Sequence, residues 1–210
     1  MRRLFPITAL LICLNFQSFG QVKIGLKAGG NYSNTRFHNF DQFKKSEFKP
    51  GFHAGIFLVL VTGKDFSIKQ EFLYNVKGWK NSDSLETNKV HLHYLIQSIL
   101  FYQKLTPKFY LLFGPEVGYL LIMSPKHTGP SIPEMDHLDE SAFNRLEASF
   151  IAGISYQMLE QLTLEARYTK GLTSVLDWRL QRAPYHYTGG NNKMVQVSLG
   201  YTFKKKAQKT

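Results

Sequence analysis

The stretch FSIKQEFLYNVK, residues 66–77, decides the fold class, because apolar and polar side chains alternate along it. One face is aromatic or aliphatic except at Gln70, and the other face is polar or charged. A period of two predicts a β-strand with one face in an apolar environment, and helical spacing fits poorly. The apolar face comprises Phe66, Ile68, Phe72, Tyr74 and Val76, and the polar face comprises Ser67, Lys69, Glu71, Asn75 and Lys77.

The same period recurs in seven further segments, so the sequence predicts eight strands. The alternation is weak in segment 51–61, and segment 90–102 is more apolar than the others. Glycines inside most segments disfavour helices by about 1 kcal/mol each. The segments are 22–33, 51–61, 66–77, 90–102, 109–122, 144–158, 162–173 and 193–203.

Short and long connections alternate strictly between these segments. In an up-and-down barrel alternate connections emerge at opposite ends, and outer-membrane barrels have short periplasmic turns and long extracellular loops. We therefore predict an all-β, eight-stranded antiparallel up-and-down transmembrane β-barrel with both termini at the periplasmic end. The short connections are 62–65, 103–108 and 159–161, and the long ones are 34–50, 79–89, 123–143 and 174–192.

Composition narrows the function classes. The chain has 210 residues and a formal net charge of +11. Its single Cys excludes a disulfide-stapled secreted domain and a Cys-based zinc site. A mean hydropathy of -0.22 with 14 % aromatic residues fits a globular domain or a transmembrane barrel with a polar lumen. A soluble lipocalin-like barrel with an apolar interior is the alternative. The loop asymmetry and aromatic residues near segment ends favour the membrane.

Residues 1–20 are typical of a secretory signal peptide cleaved before Gln21. Arg2 and Arg3 precede an apolar stretch that is too short to span a bilayer. A buried N-terminal helix and lipidation at Cys13 are weaker interpretations. After Gln21 the longest apolar run is 56–61, so a membrane protein here must be a closed barrel. The predicted order is a signal peptide (1–20), an outer-membrane barrel (21–203) and a basic periplasmic tail (204–210).

Charged residues on the polar faces predict the contents of the lumen. An eight-stranded barrel is just wide enough for side chains to fill, and a diffusion pore needs roughly twice as many strands. We expect an ion-pair network that plugs the lumen rather than a proton or ion path. Its members are Lys27, Lys69, Glu71, Glu116, Glu147, Glu165 and Arg167.

The histidines suggest neither a metal site nor an enzyme. His91 and His93 are expected to point inward near the extracellular rim, with His53 at a similar height, but no third ligand is evident. A lipid-modifying enzyme needs a Ser–His pair on the lipid face. Ser98 is expected to point outward, away from both histidines. We therefore expect no catalytic residue, metal or cofactor.

Long loops rich in aromatic and basic residues are candidates for contact with glycan, lipid headgroups or protein. The basic tail is not expected to meet nucleic acid, because it would lie in the periplasm. The expected partners are outer-membrane lipids and a protein of a surface or secretion complex, with the barrel a monomer. The candidate loop residues are Phe37, His38, Phe40, Tyr185, His186 and Tyr187.

Five short stretches carry a resemblance to a known family. In order they are GLKAGGN (25–31), GFHAG (51–55), EFLYNVKG (71–78), FGPEVGY (113–119) and LGYTF (199–203). As an ordered set they resemble the PorT-type outer-membrane β-barrel family, also described as the porin family, over residues 21–203.

The chain departs from that family at two places. The family often has a Pro in a leucine-rich run where this chain has HLHYLI (91–96), and the tail 204–210 extends beyond the terminal aromatic residue. The resemblance implies the fold and the outer membrane, and one branch of the family is linked to protein secretion. It implies no reaction, so we expect a structural or interaction role, with a small channel or a lipid-modifying enzyme as the alternatives.

Overall fold

The computed structural model describes residues 22–38, 46–61, 63–82, 87–128, 143–175 and 188–204. The predicted signal peptide and residues 205–210 of the predicted tail lie outside these ranges. The strands are β1 (Val22–His38), β2 (Ser46–Glu47), β3 (Lys49–Val61), β4 (Phe66–Ser82), β5 (Thr87–Lys104), β6 (Phe109–Thr128), β7 (Leu146–Gln157), β8 (Leu162–Gly171) and β9 (Thr188–Thr202).

The strands close into an antiparallel barrel. The order around it is β4-β3-β1-β9-β8-β7-β6-β5, and pairing of β5 with β4 completes the ring. The two-residue β2 pairs with β4 beside the start of β3 and adds no strand to the ring. The predicted eight-stranded antiparallel barrel is confirmed. Within the described residues no helix is long and apolar enough to cross a membrane.

Several strands continue into segments that the sequence predicts as loops. The β4–β5 ladder runs without a break from Phe66↔Gln103 to Ser82↔Thr87, so only residues 83–86 join the two strands. Continued cross-strand pairing gives the backbone N–H and C=O groups hydrogen-bond partners on the neighbouring strand, whereas in a loop these groups would bond to water. At the opposite end the turns are tight, and the Leu105 amide donates to the Phe109 carbonyl at 2.9 Å.

Apolar side chains cover the outer wall, with aromatic pairs near both ends of the strands. Phe109 packs on Tyr156 near the turns, with ring centroids 4.8 Å apart, and Tyr32 stacks on Phe48 near the loops at 5.2 Å. Such rings suit the two interfaces of a bilayer. Exposed aliphatic residues between them include Ile24, Leu26, Ile56, Ile154, Val197 and Leu199.

Strand β5 faces the opposite way from the expectation. Ser98 is buried inside the barrel, whereas His93 lies on the outer wall with its Nδ1 atom 2.5 Å from the hydroxyl of exposed Tyr74. His91 shares the outer face with His93 by parity. The expected orientations of His91, His93 and Ser98 were therefore wrong. Composition does not orient a strand that is apolar on both faces, and pairing of Ser98 with Glu71 of β4 decides the face instead.

Cysteine labelling tests this orientation. A chain that starts at Gln21 has no Cys, so single cysteines can be read directly. In the folded barrel in vesicles, a lipid-soluble maleimide should label Leu95→Cys, since Leu95 is half exposed on the outer wall. The neighbouring Ile96→Cys should stay unlabelled until the barrel is unfolded, since Ile96 is fully buried. The reverse pattern would show that β5 is assigned to the wrong face.

Candidate functional site in the barrel interior

The interior has an apolar wall and a polar wall. Strand β5 contributes fully buried Leu92, Ile96 and Leu100, and β6 adds Leu112. The remaining strands supply most of the buried charged and amide side chains. The bore is therefore ionic along part of its circumference only, whereas the sequence predicted a lumen filled by ion pairs.

Five charged side chains form a central charge cluster: Lys27, Lys69, Glu71, Glu165 and Arg167. The Lys27 ammonium donates to Glu71 at 2.7 Å and also to Glu165. The Lys69 ammonium lies 2.5 Å from Glu165 and 3.4 Å from Glu71, and Arg167 Nη1 donates to Glu71 at 2.6 Å. All five side chains are at most 4 % exposed. Each carboxylate thus contacts at least two cations.

Neutral side chains complete the contacts of this cluster. The Tyr102 hydroxyl donates to Glu165 at 2.9 Å, and Arg167 Nε donates to the Gln196 side chain at 2.7 Å. The Lys69 ammonium lies 4.1 Å from the centroid of the Phe57 ring, a cation–π distance. These three neutral residues were missing from the predicted site, although each lies on the inner face of its strand.

A second, outer charge pair lies nearer the loops. Lys77 donates to Glu147 at 2.9 Å, and the Asn192 amide donates to the same carboxylate at 2.8 Å. The Lys77 ammonium also lies 4.1 Å from the centroid of the Tyr94 ring. Lys77 is on the polar face of residues 66–77, but the expected ion-pair set did not include it.

Glu116 stands apart from both groups. Both of its carboxylate oxygens are buried without a hydrogen-bond partner among the described residues, as is Arg167 Nη2. The seven expected residues are all buried in the bore, but they divide into the central charge cluster, Glu147 and Glu116. With Lys77 included, the eight side chains comprise four cations and four carboxylates, so their formal charges cancel.

The predicted histidines are not brought together. His53 lies inside the bore, with Nε2 2.7 Å from Ser198 Oγ and Nδ1 3.3 Å from the Gln196 amide. The other two histidines lie on the outer wall, so no histidine trio forms. The described residues contain no group of three or more His, Cys, Asp or Glu side chains placed to hold a metal ion.

Two long connections return into the bore at its loop end. Phe143 stacks on Trp79 with centroids 6.3 Å apart, and both side chains are buried. Val175 is also buried, and its carbonyl accepts from the Asn144 amide at 2.8 Å. Together with Leu120 and with Leu92 and Ile96 of the apolar wall they form an outer apolar cluster. Side chains at the described ends of these two connections thus fill part of the upper bore.

At the turn end the bore opens into a cavity of about 240 Å³. Phe57, Lys69, Tyr102 and Glu165 line its inner end, so it stops at the central charge cluster. Side chains from the turns, such as Asp65, surround its mouth.

Most of the candidate loop residues fall outside the described part of the chain. Phe37 and His38 are the last two residues of β1, but their side chains are not described. Phe40, Tyr185, His186 and Tyr187 lie outside the described residues altogether. Their proposed role in ligand contact stays a prediction.

Comparison with known proteins agrees with this geometry. A family model described as "Outer membrane protein beta-barrel domain" matches residues 15–177. No curated protein matches the chain. Neisserial surface protein A has a similar structure, with a TM-score of 0.53, 11 % identity, and coverage of 88 % of this chain and 100 % of that chain.

Two further solved structures are similar over the same share of the chain. The attachment invasion locus protein Ail of Yersinia pestis has a TM-score of 0.47 and 12 % identity, covering 88 % of this chain and 100 % of its own. OprG of Pseudomonas aeruginosa has a TM-score of 0.38 and 10 % identity, covering 88 % and 95 %. At these identities the likeness concerns the fold alone.

Proposed function

Because this chain belongs to the family of outer membrane protein β-barrel domains and lies in the outer membrane, we propose that it acts as a non-conducting barrel with a structural or interaction role. The PorT-type resemblance suggests a surface or secretion complex as the setting. In this proposal the strands anchor a monomer among outer-membrane lipids, and the loops at the far end contact a partner.

The contents of the bore carry the proposal. The central charge cluster, the Lys77–Glu147 pair and the outer apolar cluster occupy successive levels of it. Breaking a buried ion pair by removing a partner costs about 3–5 kcal/mol, so a path through the cluster is expensive to open. The observation supports a barrel that does not conduct, and a porin-like small channel is the alternative.

Single-channel recording in planar bilayers tests this part. The purified full-length barrel should give no discrete conductance steps, because its bore is filled. A barrel of known conductance, inserted in the same lipid, controls for insertion. Regular conductance steps from the purified protein would overturn the proposal in favour of the small channel.

We also propose that the protein is not an enzyme. His53 contacts Ser198, and each of the two side chains is about 1 % exposed. The other nitrogen of the imidazole contacts Gln196 rather than a carboxylate. A nucleophile needs an oriented base and access to substrate. Ser98 faces the bore, so it is not available to a lipid at the outer wall. Incubation with radiolabelled lipid A should give no product, and any product that needs the purified barrel would contradict this.

Crosslinking in intact outer membranes tests the interaction role. A tagged chain should co-purify a defined protein, and replacing residues 129–142 or 176–187 with short linkers should abolish the crosslink. Altering the short turn 105–108 is the matched control, because it lies at the opposite end of the barrel. If the turn variant loses the partner and the loop variants retain it, the loops are not the binding surface.

A further inference from the structure

Two lysines lie directly opposite each other on the outer wall of the barrel. Lys170 of β8 and Lys193 of β9 are register partners in the antiparallel ladder. Directly opposed residues on one face have Cβ atoms about 4.5–5.5 Å apart, and like charges there are destabilising. Such a pair is unfavourable unless an anion lies between the two ammonium groups.

The surroundings of this pair are lipid-facing. Tyr168 lies two residues before Lys170, and Val195 lies two residues after Lys193. Both are more than 40 % exposed on the outer wall. The residues between them, Thr169 and Met194, are buried in the bore. The pair therefore projects from the barrel. On the neighbouring strands, Phe150 of β7 lies opposite Lys170 and Asn34 of β1 lies opposite Lys193.

No carboxylate among the described residues neutralises the pair. Glu71, Glu116, Glu147 and Glu165 are buried in the bore. The remaining described acids are Glu47, which pairs with Lys80 of β4, and Asp65 and Glu160, which lie at the turn end. Arg36, whose side chain is exposed, adds a third cation on the same face, two residues along β1 from Asn34.

The position of the pair along the strands indicates the depth. A tilted strand needs about 9–11 residues to cross the hydrocarbon core. Lys170 is the ninth residue from the turn-end start of β8 at Leu162, and Lys193 is the tenth counted back from Thr202. Both ammonium groups therefore reach the outer boundary of the hydrocarbon, where long cationic side chains extend toward the headgroups.

From this arrangement we infer that Lys170 and Lys193, assisted by Arg36, bind a phosphate group of an outer-leaflet lipid. A phosphate monoester carries nearly two negative charges and accepts several charge-assisted hydrogen bonds, which suits two adjacent ammonium groups. The lipid-facing residues beside the lysines suit its acyl chains. The site lies on the outer wall, so it is independent of whether the bore conducts or the loops bind a protein.

Binding of defined lipids to the purified full-length barrel tests this inference. The probes are diphosphoryl lipid A and the same lipid with both phosphate groups removed, with affinities measured by native mass spectrometry. The wild-type barrel should prefer the phosphorylated lipid by about tenfold or more. The double variant Lys170→Gln/Lys193→Gln should lose that preference.

A matched variant separates the site from general charge. Lys104→Gln/Lys108→Gln removes two lysines at the turn end and should keep the wild-type preference. An equal loss in both double variants, or no loss in Lys170→Gln/Lys193→Gln, would overturn the inference. Complete displacement of the lipid by millimolar inorganic phosphate would also overturn it, because the site would then not require a lipid.

The repulsion between the lysines gives a second readout. In phosphate-free lipid, the single variant Lys170→Gln should unfold at a higher temperature than the wild type, because one of two like charges is gone. In lipid that contains diphosphoryl lipid A, the same variant should unfold at a lower temperature than the wild type. A change of the same sign in both lipids would contradict an anion bound between the lysines.

Discussion

Replacing Glu71 with Gln should destabilise the barrel by about 3–5 kcal/mol, the cost of breaking a buried ion pair by removing one partner. Glu71 contacts Lys27, Lys69 and Arg167, and all of these side chains are almost fully buried. The amide of Gln would leave three cations with Glu165 as their remaining carboxylate. Urea unfolding in lipid vesicles, followed by tryptophan fluorescence, measures the loss.

Glu160→Gln is the matched control for this change. The Glu160 side chain is 90 % exposed, and its contact with Lys204 is 3.9 Å long, so its removal should leave the unfolding midpoint unchanged. Glu116→Gln should cost less than Glu71→Gln, because no hydrogen bond to the Glu116 carboxylate is lost. Equal effects of Glu71→Gln and Glu160→Gln would show that the central charge cluster does not stabilise the fold.

Gly78→Ala should cost about 3 kcal/mol, which combines backbone strain with a steric clash. Gly78 has a φ of +147°, a conformation that L-residues rarely adopt. A Cβ atom there would lie 2.0 Å from the Val90 carbonyl oxygen of the neighbouring strand. The Ser33 hydroxyl bonds both the amide and the carbonyl of Gly78 at 2.9 Å, so the backbone cannot shift without losing these contacts.

Gly30→Ala provides the comparison for Gly78→Ala. Its added Cβ would meet nothing closer than the Gly51 carbonyl oxygen at 4.0 Å, so stability should be unchanged or slightly higher. Heat-modified mobility on gels, which distinguishes the folded barrel from the unfolded chain, follows both variants. Similar folded fractions at all temperatures would mean that Gly78 tolerates a side chain.

The number and direction of the strands could be predicted because alternation and connection length are local properties of the chain. Strand β5 shows the limit of this reasoning. Where both faces are apolar, the face that turns inward depends on pairing with a partner strand, such as Ser98 with Glu71. That pairing is not visible in the segment itself, so the orientation of His91 and His93 was predicted wrongly.

The interior was predictable in composition but not in its pairs. Residues on polar faces must enter the bore, so the charged side chains could be named from parity. Their partners depend on strand stagger, which brings Lys77 beside Glu147 across the barrel. Phe143 could not be predicted, because it enters the bore from a long connection whose return path has no sequence period.

The continued pairing of β4 with β5 has a mechanical consequence. Strand β4 has 17 residues, whereas about 9–11 suffice to cross the hydrocarbon core. About six to eight residues at its loop end therefore extend beyond the lipid. At about 3.3 Å per residue, this paired extension is roughly 20–26 Å long, measured along the strand. The extension ends at the Ser82↔Thr87 pair, which the ladder holds outside the membrane, within reach of an approaching cell or protein.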